Sequence, residues 1–72
     1  MPESYARIEG REVTQWLVDH GYFHLIPSPL RLSRFKLREW YGNVSPEIEE
    51  RYTAGVVEGM AGTLGLLSGR MN

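Results

Sequence analysis

Apolar positions recur along this chain at helical rather than strand intervals in three stretches. In the first, Ile8, Val13, Trp16, Leu17 and His20 step by three to five residues and approximate one face. That spacing predicts a helix from about Glu9 to His20, reaching back over Tyr5 if it starts near Ser4; a strand over Tyr5–Ile8 is the weaker alternative. Gly21 supplies a left-handed stop. The apolar run Tyr22-Phe23-His24-Leu25-Ile26 follows and is closed by Pro27-Ser28-Pro29. A residue before proline is pushed away from helical angles, so about residues 22–27 read as a short extended segment. One strand cannot make a sheet, so it lies across helices or offers an edge to a partner.

The second helix begins either with Ser28 as cap and Pro29 in the first turn, or later with Ser33 as cap, and ends at Gly42. An early start puts Leu30, Leu37, Trp40 and Tyr41 on one side and Arg31, Arg34 and Arg38 on the adjoining side. The third helix carries the clearest start signal. Ser45 caps it, Pro46 takes the first position, and Glu47, Glu49 and Glu50 complement its N-terminus. Ile48, Tyr52, Val56, Met60, Thr63 and Leu67 then step by three or four, which carries the helix to Leu67 or Ser68 with Gly69 beyond. The expected fold is mainly α: one domain over residues 1–72, built as a compact three-helix unit with one short extended segment.

Composition narrows the ways such a unit can be stable. The chain has 72 residues, no cysteine and two histidines. A domain of this size buries only about 60 % of its unfolded surface, so disulfides, metals, self-association or regular helix packing usually reinforce it. Disulfides and thiolate metal sites are excluded, and two histidines are too few for a structural zinc. Helix packing or self-association is left. Hydrophobic residues at 42 % and charged residues at 24 % argue against disorder. No signal-peptide pattern opens the chain, and the lack of cysteine fits a reducing cytosol, so a cytoplasmic location is the expectation.

Charge is uneven. Residues 1–28 sum to −2, residues 29–42 to +3 and residues 43–72 to −2, for a net of −1. The basic centre comes from Arg31, Arg34, Lys36 and Arg38. On an exposed helix these could contact phosphates. Neutralisation by the chain's own acidic flanks is the favoured reading, because the whole chain is slightly acidic.

The glycines of the third helix are the most informative feature. Gly55, Gly59, Gly62, Gly65 and Gly69 fall within an arc of about 120° at 100° per residue. Each glycine inside a helix costs roughly 1 kcal/mol against alanine, so a one-sided row needs a reason. Close approach of another backbone is that reason. Its source is either the chain's own first or second helix or an outside helix, including a second copy, and the pattern alone leaves both open. Small residues three or four apart also mark membrane-helix contacts, but glycine, threonine and Glu58 dilute the segment, so a membrane span is not expected.

Ser33-Arg34-Phe35-Lys36-Leu37-Arg38-Glu39-Trp40 resembles the "R-F, then L-x-x-W" ending of excisionase-type winged-helix domains. Arg11-Glu12-Val13-Thr14-Gln15-Trp16-Leu17 is loosely similar to their opening helix. Together these cover about twenty residues. Where such domains place a recognition helix, this chain has the proline-bounded Gly21–Pro29 segment. The resemblance implies a small DNA-binding regulator using Arg31, Arg34, Lys36 and Arg38, and this is the alternative function.

Other chemistry finds little support. His20 and His24 stand four apart, but Gly21 should break the helix between them, so no metal or other cofactor is expected. The serines sit where caps and turns want them, and the glycines lie in a helix rather than in a phosphate-cradling loop. Neither an enzyme nor a small-molecule substrate is therefore expected. Trp16, Phe23 and Trp40 are expected inside, with Tyr22 and Tyr41 outside. The reading that results is a protein-binding module. It would occupy a surface of a larger complex through Gly55, Glu58, Gly59, Gly62, Tyr22 and Tyr41, in a heterologous complex or a homodimer. Small phage- or mobile-element-encoded inhibitors of host defence systems, anti-CRISPR proteins among them, are a class that works in this way.

Overall fold

A computed structural model describes the backbone of residues 2–65 and the side chains of residues 5–65. It is a mainly α, three-helix domain. The helices are α1, Pro2–Asp19, α2, Pro29–Tyr41, and α3, Pro46–Thr63, with a single 3-10 turn at Phe23–Leu25.

The helix ends follow local chemistry. Ser28 caps α2 by accepting a hydrogen bond from the Arg31 N–H at 3.2 Å, with Pro29 in the first turn, so the early start holds. Ser45 does the same for α3 through the Ile48 N–H at 3.3 Å, followed by Pro46 and the acidic Glu47 and Glu49. Gly42, at φ 75°, ends α2.

At the end of α1, the Tyr22 N–H donates to the Leu17 carbonyl at 2.8 Å and the Gly21 N–H to the Val18 carbonyl at 3.1 Å, with Gly21 at φ 79°. This pair of bonds is a Schellman motif, which satisfies carbonyls the helix would otherwise leave unpaired. α3 stops earlier than its apolar pattern predicts. The Leu64 N–H still bonds to Met60, but Gly65 turns to φ 74°, a left-handed angle that ends the helix. Leu67, Ser68 and Gly69 lie outside the described residues.

Residues 22–27 are not the extended run expected. Phe23–Leu25 close one 3-10 turn through the Leu25 N–H to Tyr22 and the Ile26 N–H to Phe23, and extended angles begin only at Ile26. The proline restriction acts on the residue before Pro27 and leaves the upstream residues free to turn.

The core sits along α3. Ala6 of α1, Leu32 and Leu37 of α2, and Tyr52, Val56 and Met60 of α3 form the buried cluster, with Val13, Ile26 and Val44 at its edge. α3 packs along α1 over most of its length and more lightly on α2. α2 is tied to α3 by Ser33 and Thr53, whose hydroxyls lie 2.8 Å apart, with Thr53 also 2.7 Å from the Glu49 carbonyl. A carbonyl only accepts, so the Thr53 proton goes to Glu49 and the buried Ser33 donates to Thr53.

The face α1 turns inward is not the apolar one. Ala6, Gly10 and Thr14 are buried, with Val13 and Leu17 partly so, while Ile8 and Trp16 are exposed. Trp16 lies about 100° around the helix from the centre of the buried face. Phe23 and Trp40, also expected inside, are exposed too. The domain measures only 16 Å across its thinnest axis, little more than one helix with its side chains, so it cannot enclose three large aromatics.

Candidate binding surfaces

Within the glycine row on α3, Gly59 meets α1. A β-carbon on Gly59 would overlap the Arg7 carbonyl, and one on Gly10 would stand 2.5 Å from the Val56 carbonyl oxygen. The two helices therefore touch backbone to backbone at two points, each made possible by a glycine on one side. Thr63 adds a hydroxyl bond to the Gly59 carbonyl at 3.2 Å and stands 3.4 Å from the Arg11 carbonyl. Of the two occupants left open by the sequence, the chain's own first helix fills the face at Gly59. Gly59 is buried and so is not open to an outside partner, Gly55 is partly buried, and Glu58 and Gly62 are exposed, with nothing among the described residues within 4 Å of a β-carbon built on Gly62. Gly69 is outside the described residues.

A second surface forms where α1 ends. The Schellman turn at Gly21 brings Tyr22 back against the last turn of α1. Trp16 stacks on His20, ring centroids 3.8 Å apart at 15°, and on Tyr22, at 5.9 Å and 17°. His20 Nδ1 lies 2.7 Å from the Trp16 carbonyl, which fixes its ring. Trp16 is nevertheless 53 % exposed, and Phe23 in the following turn is 63 % exposed. With Leu25, also exposed, these side chains make an apolar ridge along Trp16 and the turn that follows α1. Tyr22 is outward, as its place in the sequence predicts, whereas Trp16 and Phe23, expected inside, are exposed. The Gly21 stop one residue before Tyr22 was the signal that could have found the ridge.

Tyr41 is exposed as expected and belongs elsewhere. It meets Trp40 edge-on at 6.4 Å, and Trp40 lies 4.7 Å from Tyr5 across the start of α1. Beneath them is Tyr52, 1 % exposed, whose hydroxyl has no hydrogen-bond partner among the described residues. Burial first, then the nearby negative charge of Glu9, pushes its phenol up to about 12.

The basic stripe divides. Arg34 pairs with Glu49 at 2.7 Å, and Lys36 turns inward to Glu9 at 3.4 Å, with its ammonium 5.9 Å from the Phe35 and Trp40 ring centres. Neutralisation by the acidic flanks thus accounts for two of the four cations. Arg31 and Arg38 are exposed and make no ion pair among the described residues. Arg31, Arg34 and Arg38 line an open groove of about 370 Å³ with Ser28, Leu30 and Phe35. A smaller hollow shares Arg34 and Arg38 and runs on toward Gly42 and Asn43. Phe35, which the sequence reading did not single out, stands at the centre of this face and is 64 % exposed. Its place four residues after Arg31 and three before Arg38 was the available signal.

Among the described residues no group of three or more His, Cys, Asp or Glu could hold a metal, and no helix is long and apolar enough to cross a membrane. No protein-family model, no curated protein and no solved structure matches this chain.

Proposed function

We propose that this chain is a non-catalytic protein-binding module whose contact surface is the ridge of Trp16, Tyr22, Phe23 and Leu25. The observation that carries the reading is the Trp16 stack. Trp16 stacks on His20 and, more loosely, on Tyr22, contacts that favour one rotamer, yet half of it faces water. Pre-ordered, exposed aromatic side chains are what binding hot spots use, because little entropy is left to lose on docking. Surface apolar groups scattered singly would need no explanation, but a contiguous set does.

In this reading the protein acts by occupying a surface of a larger complex. Its small size fits the working mode of phage- or mobile-element-encoded inhibitors of host defence systems, anti-CRISPR-like proteins included. In this reading Gly59 and Gly10 contribute by letting α1 lie close on α3, and not as the docking face itself.

The test is site-specific photo-crosslinking in an extract of the native host, with benzoyl-phenylalanine in place of Tyr22. A single crosslinked species, lost on Trp16→Ala and not formed from the same probe at Val57, supports the reading. If that species is a second copy of the chain, the ridge is a homodimer interface. Equal, diffuse crosslinking from both positions would remove it.

A further inference from the structure

We propose that the exposed face of α2 binds single-stranded nucleic acid, with Phe35 stacking on an unpaired base and Arg31, Arg34 and Arg38 contacting the flanking phosphates. The four residues stand at i, i+3, i+4 and i+7 and fall within an arc of about 100°, roughly opposite the buried Leu32, Ser33 and Leu37. α2 therefore spends one side on the core and presents three guanidinium groups and a ring, bordered by Ser28 and Leu30, on the other. No acidic side chain lines the groove of about 370 Å³ that these residues border. Two acids flank the face: Glu39, exposed on α2 itself about 40° around the helix from Phe35, and Glu49 of α3. Glu49 engages Arg34 on the side toward α3, leaving Arg31 and Arg38 unpaired among the described residues.

The exposed ring selects the occupant. Arginines alone would accept any polyanion, and on a duplex they would meet phosphates while Phe35 met nothing, because duplex bases are stacked on each other. A single strand offers both halves of the contact: phosphates for the cations and a free base face for the phenyl ring, in the manner of stacking platforms within basic grooves. Seven residues of helix from Arg31 to Arg38 span about 10 Å, enough for a strand of two to three nucleotides to be followed along the face. The smaller hollow beyond Arg38 is lined by Glu49 as well as Asn43, so the basic track ends at Arg38.

The experiment is fluorescence anisotropy of a labelled strand of twenty thymidines, titrated with the full chain at low salt. The same length of duplex and a labelled polyglutamate peptide serve as comparison probes. Saturable binding to the single strand is expected, with log K falling against log salt at a slope of about −2, from three contacts at roughly 0.7 each. Phe35→Ala should weaken it roughly tenfold, Phe35→Tyr should restore it, and Arg31→Gln with Arg38→Gln should flatten the slope to about −0.7. Phe35 is exposed, so circular dichroism of Phe35→Ala should match the parent, and the loss would report on contact rather than folding. Absence of binding, binding indifferent to Phe35→Ala, or equal affinity for the duplex would overturn the proposal. Tighter binding of polyglutamate would also overturn it and identify the face as a dock for an acidic protein.

Discussion

Gly59 of α3 lies directly beneath the backbone carbonyl of Arg7 in α1, with no room between them for a methyl group. The relationship is mirrored by Gly10 against Val56. α1 thereby buries a face made of Ala6, Gly10 and Thr14, residues too small to build a core by bulk. Close backbone approach and the dispersion contacts it allows take the place of large side chains.

Ser33→Ala tests the junction between α2 and α3. It removes the buried donor to Thr53 and should cost about 1 kcal/mol in urea denaturation, while Thr53 keeps its bond to Glu49. Arg34→Ala, which breaks an ion pair at the surface, should change stability by less than about 1 kcal/mol.

Tyr52 makes stability depend on alkaline pH. Its folded value of about 12 lies above the 10.0 of an unperturbed phenol, so the folded chain holds the proton more tightly than the unfolded one. The resulting stability is present in full below pH 10 and drains away as pH rises toward 12, a loss of about 2 to 3 kcal/mol. Tyr52→Phe removes this dependence. It should also be neutral or stabilising by up to about 1 kcal/mol at pH 7, because it deletes a buried hydroxyl that has no partner among the described residues. Parallel denaturation curves at pH 7 and pH 11 measure both effects.

Gly21→Ala should destabilise the domain by about 1 kcal/mol, since φ 79° is unfavourable for any residue with a β-carbon. The same change should loosen the Schellman turn and with it the Trp16–Tyr22 stack. Tryptophan fluorescence should report that loosening, with Trp40, on the far side of the domain, as the unaffected background.

Much of the fold was legible in the sequence because it rests on local chemistry. Ser28-Pro29, Ser45-Pro46, Gly21 and Gly42 each act through the backbone within a turn, and each marks the boundary its residue type predicts. The inward face of α1 was not legible. Apolar periodicity weighs bulk, and it gave Ile8 and Trp16 a place that close helix approach hands to Gly10 and Thr14. The exposed aromatics follow from the same cause: a domain built on small-residue contact is thin, and Trp16 and Phe23 find no depth to enter. The α2 face was half legible, since the arginine spacing showed a stripe, but only the structure turns Lys36 inward to Glu9 and leaves Phe35 exposed at the centre of the face.

The most direct test of the account is urea denaturation of Gly59→Ala beside Gly62→Ala. Both substitutions raise helix propensity by roughly 1 kcal/mol, so on propensity alone both should stabilise. Packing separates them, because the Gly59 position is filled by α1 and the Gly62 position is open among the described residues. Gly62→Ala should gain up to about 1 kcal/mol, while Gly59→Ala should lose about 1 to 3 kcal/mol or more through overpacking, a large share of what a domain this small possesses. Equal stabilisation by the two would contradict the backbone contact between α1 and α3 on which the rest is built.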